Sequence, residues 1–302
     1  MTERSGYPYG IAAYLCWGLF PLFFRALESS GPLEIVAHRA AWSFVFSVAL
    51  VLSLRQWSKI REVFRTPRVA WSLALAGFLV TVNWTLYVWA VNSGHTLDAP
   101  MGYFINPLVS ALLAVLVLRE SLTPTQWVAF GCGVAAVVVL IVGYGSVPYF
   151  AIGLAISFGL YGLVKKRVGA SVSALPGFAV ETGAVLPIAL GYMVYLAAVG
   201  QQTATSSPGH FALLALAGPV TALPLLLFAV AATRLPLAAV GMLQYMTPIM
   251  QFLIGWLLFN EPLPPERLAG FVLVWLALVI FTFDALRSAR RNQRILKAAR
   301  EA

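Results

Sequence analysis

Runs of about twenty apolar residues, separated by short polar stretches, recur along the whole of this sequence. They cover 8–27, 35–54, 70–92, 97–117, 126–144, 147–163, 177–199, 210–232, 238–259 and 267–285. A helix needs about 20 such residues to cross a hydrocarbon layer of about 30 Å. The runs do not alternate apolar with polar positions, as the strands of a membrane barrel would. The pattern therefore predicts an all-α polytopic membrane protein with about ten transmembrane helices. The run at 147–163 is short and rich in glycine, so its ends are the least sharply marked. Only Arg4 precedes the first run and no Ala-x-Ala cleavage site follows it, so it reads as a retained helix.

The pattern also repeats. Pro107, Glu120, Leu122 and Pro124 are matched by Pro248, Glu261, Leu263 and Pro265, a constant offset of 141 residues. The same offset carries Gly77 onto Gly218, and Gly18-Leu19-Phe20 onto Gly159-Leu160-Tyr161. Two copies of one unit are expected at 1–145 and 146–286, five helices each, followed by a basic tail at 287–302.

Composition agrees with the pattern: 60% of the residues are hydrophobic and 10% charged, against about 25% charged in a soluble domain. The net charge of +9 would suit nucleic acid, but its distribution argues otherwise. With both termini placed in the cytoplasm, 17 of the 20 Lys and Arg fall on the inner side, Arg25 and Arg267 on the outer, and Arg39 within a span. This is the positive-inside asymmetry. An odd number of helices per copy makes the second copy enter the membrane upside down. The charges follow that inversion: Arg119 stands before Glu120, while Asn260 stands before Glu261.

Polar groups inside the spans are the candidate chemistry, because they are costly there. Arg39 lies in the second span and Glu181 in the seventh, at nearly equivalent points of the two copies. Both are expected to face a central cavity, as an ion pair or as handles for a substrate or proton. A buried pair that only fixes helix packing is the plainer alternative. On the third span, Asn83 and Tyr87 share a face with Trp84 beside it, which suits an organic solute and equally suits interhelical packing. Asn92 reads as a helix cap. Pro107 follows Tyr103 and Asn106, and Pro248 follows Gln244 and Tyr245, so kinked helices are expected at matching points of the copies. Asp98 and His95 read as a solvated loop, or else as a gate or proton site.

Other chemistry finds little support. The sequence lacks a Walker-type phosphate loop and H-E-x-x-H, and its three histidines do not cluster. No partner histidine is evident for Ser146 as a nucleophile, and Cys16 and Cys132 read as packing residues. No cofactor, metal, nucleic acid, ATPase subunit or enzyme activity is therefore expected. The expected partners are the lipid bilayer and a small-molecule substrate.

Several stretches together resemble one family. Glu34-Ile35-Val36-Ala37-His38-Arg39-Ala40-Ala41-Trp42-Ser43 resembles the second helix of RarD-type permeases. Asn83-Trp84 with Tyr87 to His95, and Gly102 to Val109, resemble further stretches of the same family. So do Glu181-Thr182, Thr221 to Phe228, and Leu243-Gln244-Tyr245. The family lies in the EamA branch of the drug/metabolite transporter superfamily. The resemblance implies ten helices in two inverted five-helix repeats and a bacterial inner-membrane permease, of a kind associated with chloramphenicol sensitivity or resistance. Asp98 departs from the Glu that the resemblance leads one to expect. The function expected is alternating-access transport of a small metabolite or drug, driven by protons, by exchange or by the solute gradient. A non-transporting scaffold or a lipid handler is the alternative. Arg39, Asn83, Trp84, Tyr87, Tyr103, Asn106, Glu181, Gln244 and Tyr245 are the expected substrate-binding residues. Glu181, Asp98 and His38 are the expected proton-coupling candidates.

Overall fold

The computed structural model describes residues 6–119, 124–144, 147–168, 172–235, 243–280 and 282–283. Glu120, Leu122, Ser146 and the basic tail lie outside the described residues. The described chain is helical: α1 Tyr7–Gly18, α2 Phe20–Arg25, α3 Pro32–Ser53, α4 Trp57–Arg65, α5 Pro67–Asn92, α6 Asp98–Leu118, α7 Pro124–Tyr144, α8 Tyr149–Val168, α9 Ala174–Ala198, α10 Pro208–Arg234 and α11 Met246–Leu253. A π-helical turn, Ile254–Leu258, continues α11, and a last helix, α12, runs over 265–280. Among the described residues, six spans are long and apolar enough to cross a membrane, and three shorter apolar helices accompany them. The run expected at 147–163 is longer than its apolar core, because α8 continues through Lys165 to Val168.

The first span is two helices, since Pro21 has no N–H to give the carbonyl of Trp17. Pro107 lies inside α6 without ending it, whereas the ninth span breaks at Tyr245, with Pro248 in the first turn of α11. The expected matching kinks are thus unequal. A proline is cheap in a first turn, where its missing N–H would be unpaired anyway. Helix α4 is not a span at all. Its charged Lys59, Arg61, Glu62 and Arg65 face outward while Ile60 and Val63 are buried.

The helices pack in mated pairs. Helix α1 packs on α10 and α11, and its mate α8 packs on α5 and α6. Helix α3 packs on α10, and its mate α9 on α5, while α3 and α9 pack on each other. Each of these pairs maps onto another under the 141-residue offset, except α3 with α9, which maps onto itself, so the two copies form an inverted pair about a pseudo-twofold axis. Glycines make the closest of these crossings. A Cβ at Gly77 would stand 2.2 Å from the carbonyl oxygen of Glu181, and one at Gly218 would stand 2.4 Å from the carbonyl carbon of Trp42. Likewise a Cβ at Gly18 would meet Met250 and one at Gly159 would meet Val109, residues that are themselves 141 apart. The backbone repeats too: Arg119 and Asn260, also mates, both take left-handed conformations at φ 57° and 53°.

Candidate functional site

A cavity of about 370 Å³ lies between the crossed halves. Its lining follows the offset. Trp17 faces it with Phe158, Phe20 with Tyr161, Val80 with Thr221, and Trp84 with Leu225. Tyr87 pairs with Phe228, Tyr103 with Gln244, and Asn106 with Thr247. Seven pairs at one spacing place the cavity on the pseudo-twofold axis.

The break in the first span helps to build one wall. The Trp17 carbonyl, deprived of an N–H by Pro21, accepts a bond from Gln251 Nε2 at 3.0 Å. Thr247 Oγ1 donates to the Tyr14 carbonyl at 2.9 Å. These two bonds tie α1 to α11 across the repeats.

Arg39, Asn83, Trp84, Tyr87, Tyr103, Asn106, Glu181, Gln244 and Tyr245 all line this cavity. Arg39 and Glu181 do not pair there. Each is the eighth residue of its helix, and α3 and α9 start from opposite ends of the molecule. Each charge therefore sits about 10 Å along its helix from opposite ends.

Arg39 Nε donates to Thr221 Oγ1 at 2.8 Å. Its guanidinium lies 4.1 Å from the Trp84 ring centre, 5.0 Å from Phe24 and 5.4 Å from Phe20. Its Nη1 is buried and finds no acceptor among the described residues. Glu181 is held by Lys165 Nζ at 2.5 Å and accepts a hydrogen bond from Tyr161 OH at 3.2 Å.

The remaining residues divide between wall and space. Asn83 Nδ2 donates to the Leu154 carbonyl at 3.1 Å and to Ser157 Oγ at 3.0 Å, so it fastens α5 to α8 while lining the cavity. Tyr245 OH bonds Thr282 at 2.7 Å. Tyr87 OH, Asn106 Oδ1 and Gln251 Oε1 are buried without a partner among the described residues.

His38 and Asp98 stand apart from this lining. His38 is buried in α3, its Nδ1 without a partner among the described residues. Asp98, expected in a solvated loop, is 8% exposed and bound to Arg267 at 2.5 Å. The correction has a physical cause. The Glu261 carboxylate accepts the Thr96 and Leu97 N–H groups at 2.6 and 2.9 Å, which draws the start of α6 against the second copy. Asn92 does not cap a helix, since both its amide atoms are buried and unpaired among the described residues.

Lys165, Tyr161, Thr221 and Gln251 were not among the expected site residues. Adding 141 to Phe20 or Val80 gives Tyr161 or Thr221, but neither starting residue is polar. Lys165 sorts in the sequence with the loop cations.

Comparison with known proteins bears on the same arrangement. The model of the EamA-like transporter family matches twice, over residues 4–142 and 146–283. Protein RarD of Streptomyces exfoliatus is 50% identical over 298 residues, covering 98% of this chain and 94% of that protein. The transporter YojE of Bacillus subtilis is 44% identical, covering 96% of this chain and 97% of that protein. A solved structure titled only as the crystal structure of a protein superposes with a TM-score of 0.58 at 18% identity, over 94% of this chain and 98% of that one. It shares the fold.

Proposed function

The chain belongs to the EamA-like transporter family, among the RarD-type permeases, and on that premise we propose an alternating-access carrier for a small organic solute. It is a multi-pass protein of the bacterial inner membrane, and in this reading both termini and the basic ends lie in the cytoplasm. The observation that carries the reading is the cavity built from seven offset pairs, at the interface where inverted-repeat transporters hold their solutes. Its size falls at the small end of ligand pockets, which run from about 300 to 1,000 Å³. Aromatic residues make up much of its lining, with polar side chains among them.

In this reading the mated crossings rock about the axis, opening the cavity first to one face and then to the other. Rocking exposes one end of a quasi-symmetric cavity by the same movement that closes the other. Glu181 with Lys165 is the candidate proton carrier if transport is proton-coupled, because it is the acid of the cavity wall and has a dedicated cation partner.

The test needs no known substrate. A cysteine replacing Leu225, in a background lacking Cys16 and Cys132, should react with a membrane-impermeant thiol reagent from either face of oriented vesicles. Reaction from one face only would remove alternating access and favour the scaffold. Arg39→Ala should abolish transport of any solute found while leaving membrane insertion intact.

A further inference from the structure

The charges of the buried interior do not balance, and the imbalance sits in the cavity. Among the described residues the buried carboxylates are Glu34, Asp98, Glu181 and Glu261. Each is engaged elsewhere. Glu34 accepts Thr203 N–H at 2.7 Å and Thr203 Oγ1 at 3.0 Å. Asp98 holds Arg267, Glu181 holds Lys165, and Glu261 accepts Thr96 and Leu97. Arg39 is left as a buried cation with one neutral hydroxyl bond and no carboxylate.

Its three aromatic neighbours offer cation–π attraction. A ring face does not replace an in-plane acceptor for the Nη1 hydrogens, and a buried guanidinium lacking one is costly. The nearby orphan atoms add direction. Tyr87 OH can donate, whereas Asn106 Oδ1 and Gln251 Oε1 can only accept. The offset mate of Arg39 is Val180, so the positive charge marks one copy of the lining and not the other.

We infer that the solute is an organic monoanion, a carboxylate on an aromatic or similarly flat apolar body, whose charge supplies the acceptor that Arg39 Nη1 lacks. The apolar body lies against Trp84 and Phe20, and a hydrogen-bond donor on the solute meets Asn106 or Gln251. The inference rests on the carrier reading only in placing the solute in this cavity. One carboxylate also leaves the site neutral, so the loaded carrier moves no unpaired buried charge through the bilayer.

The probes are 3-phenylpropanoate, its amide, the corresponding amine, and phenyl phosphate, tested on the full detergent-purified chain by ligand-induced thermal stabilisation and competition. The carboxylate should bind at least about tenfold tighter than the amide, the discrimination a desolvated ion pair gives at its weakest. The amine should not bind, and chloride at the same concentration should not reproduce the stabilisation. Arg39→Met should abolish the preference for carboxylate over amide. Arg39→Lys, which restores the cation without the planar fork, should keep part of it.

Equal binding of carboxylate and amide, a preference that survives in Arg39→Met, stabilisation by chloride alone, or no response to the carboxylate would each overturn the monoanion. Tighter binding of phenyl phosphate would overturn the carboxylate assignment in favour of phosphate esters. Should Arg39→Met fail to fold, Thr221→Val serves in its place. It frees Nε beside the same charge, and should alter carboxylate affinity while leaving that of the amide unchanged. Two-faced labelling at position 225 is read separately, so loss of the anion preference leaves the carrier standing.

Discussion

Arg39 and Glu181 could be picked out from sequence because an ionisable residue within an apolar run has few innocent explanations. Their partners could not, because a hydroxyl such as Thr221 or a near-loop cation such as Lys165 is ordinary where it stands. Glu181 is 1% exposed and its salt bridge to Lys165 joins α9 to α8. Lys165→Met should therefore leave an uncompensated buried carboxylate. The lysine side chain is 33% exposed, which tempers the effect to about 1–3 kcal/mol. Adding Glu181→Gln should recover most of that loss in thermal unfolding. A double variant no more stable than Lys165→Met would show that the two groups are not coupled. Asp98 was misplaced for a related reason. Sequence places it beside a loop, and its bond to Arg267 joins it to the second copy.

At the scale of the element, apolar run length marked the spans well, because crossing hydrocarbon fixes a helix's length more firmly than any propensity does. It missed α4, whose alternation of charge and burial is that of a helix lying along an edge. It also treated the two prolines alike, though a proline's effect depends on its place in the turn. The offset glycines could be read as a repeat, but not as the crossings they make. Since a Cβ at Gly218 would fall 2.4 Å from the α3 backbone, Gly218→Val must push α10 off α3. A loss of about 1–3 kcal/mol or more is expected, by the cost of overpacking. Gly77→Val should cost as much against α9. By contrast Gly191→Val, where nothing lies within 4 Å, should be nearly neutral. Equal melting temperatures for all three variants would contradict the close crossings.

For the molecule as a whole, polar contacts join the two copies at their ends. At one, Asp98 and Glu261 bind the second copy's Arg267 and the first copy's Thr96 and Leu97, with Arg25 lying 5.4 Å over the Phe259 ring. If this is a latch, Arg267→Ala should open that end. A cysteine at Phe24, which is fully buried, should then react with a thiol reagent about tenfold faster or more, the effect of losing one charge-assisted bond of about 1.5–3 kcal/mol. Asp98→Asn should act in the same direction. Unchanged reactivity in both variants would make the contact mere packing.

The crossing of the copies also bears on how the chain is made. Gly77 must wait for Glu181, 104 residues later in the sequence, before its notch is filled. At synthesis rates of about 5–20 residues per second, that is a delay of about 5–20 s. Throughout it the first five helices stand in the bilayer with a vacant groove along α5. A newborn half is thus a distinct species, open to lipid, to an insertion chaperone or to a protease before its other half arrives.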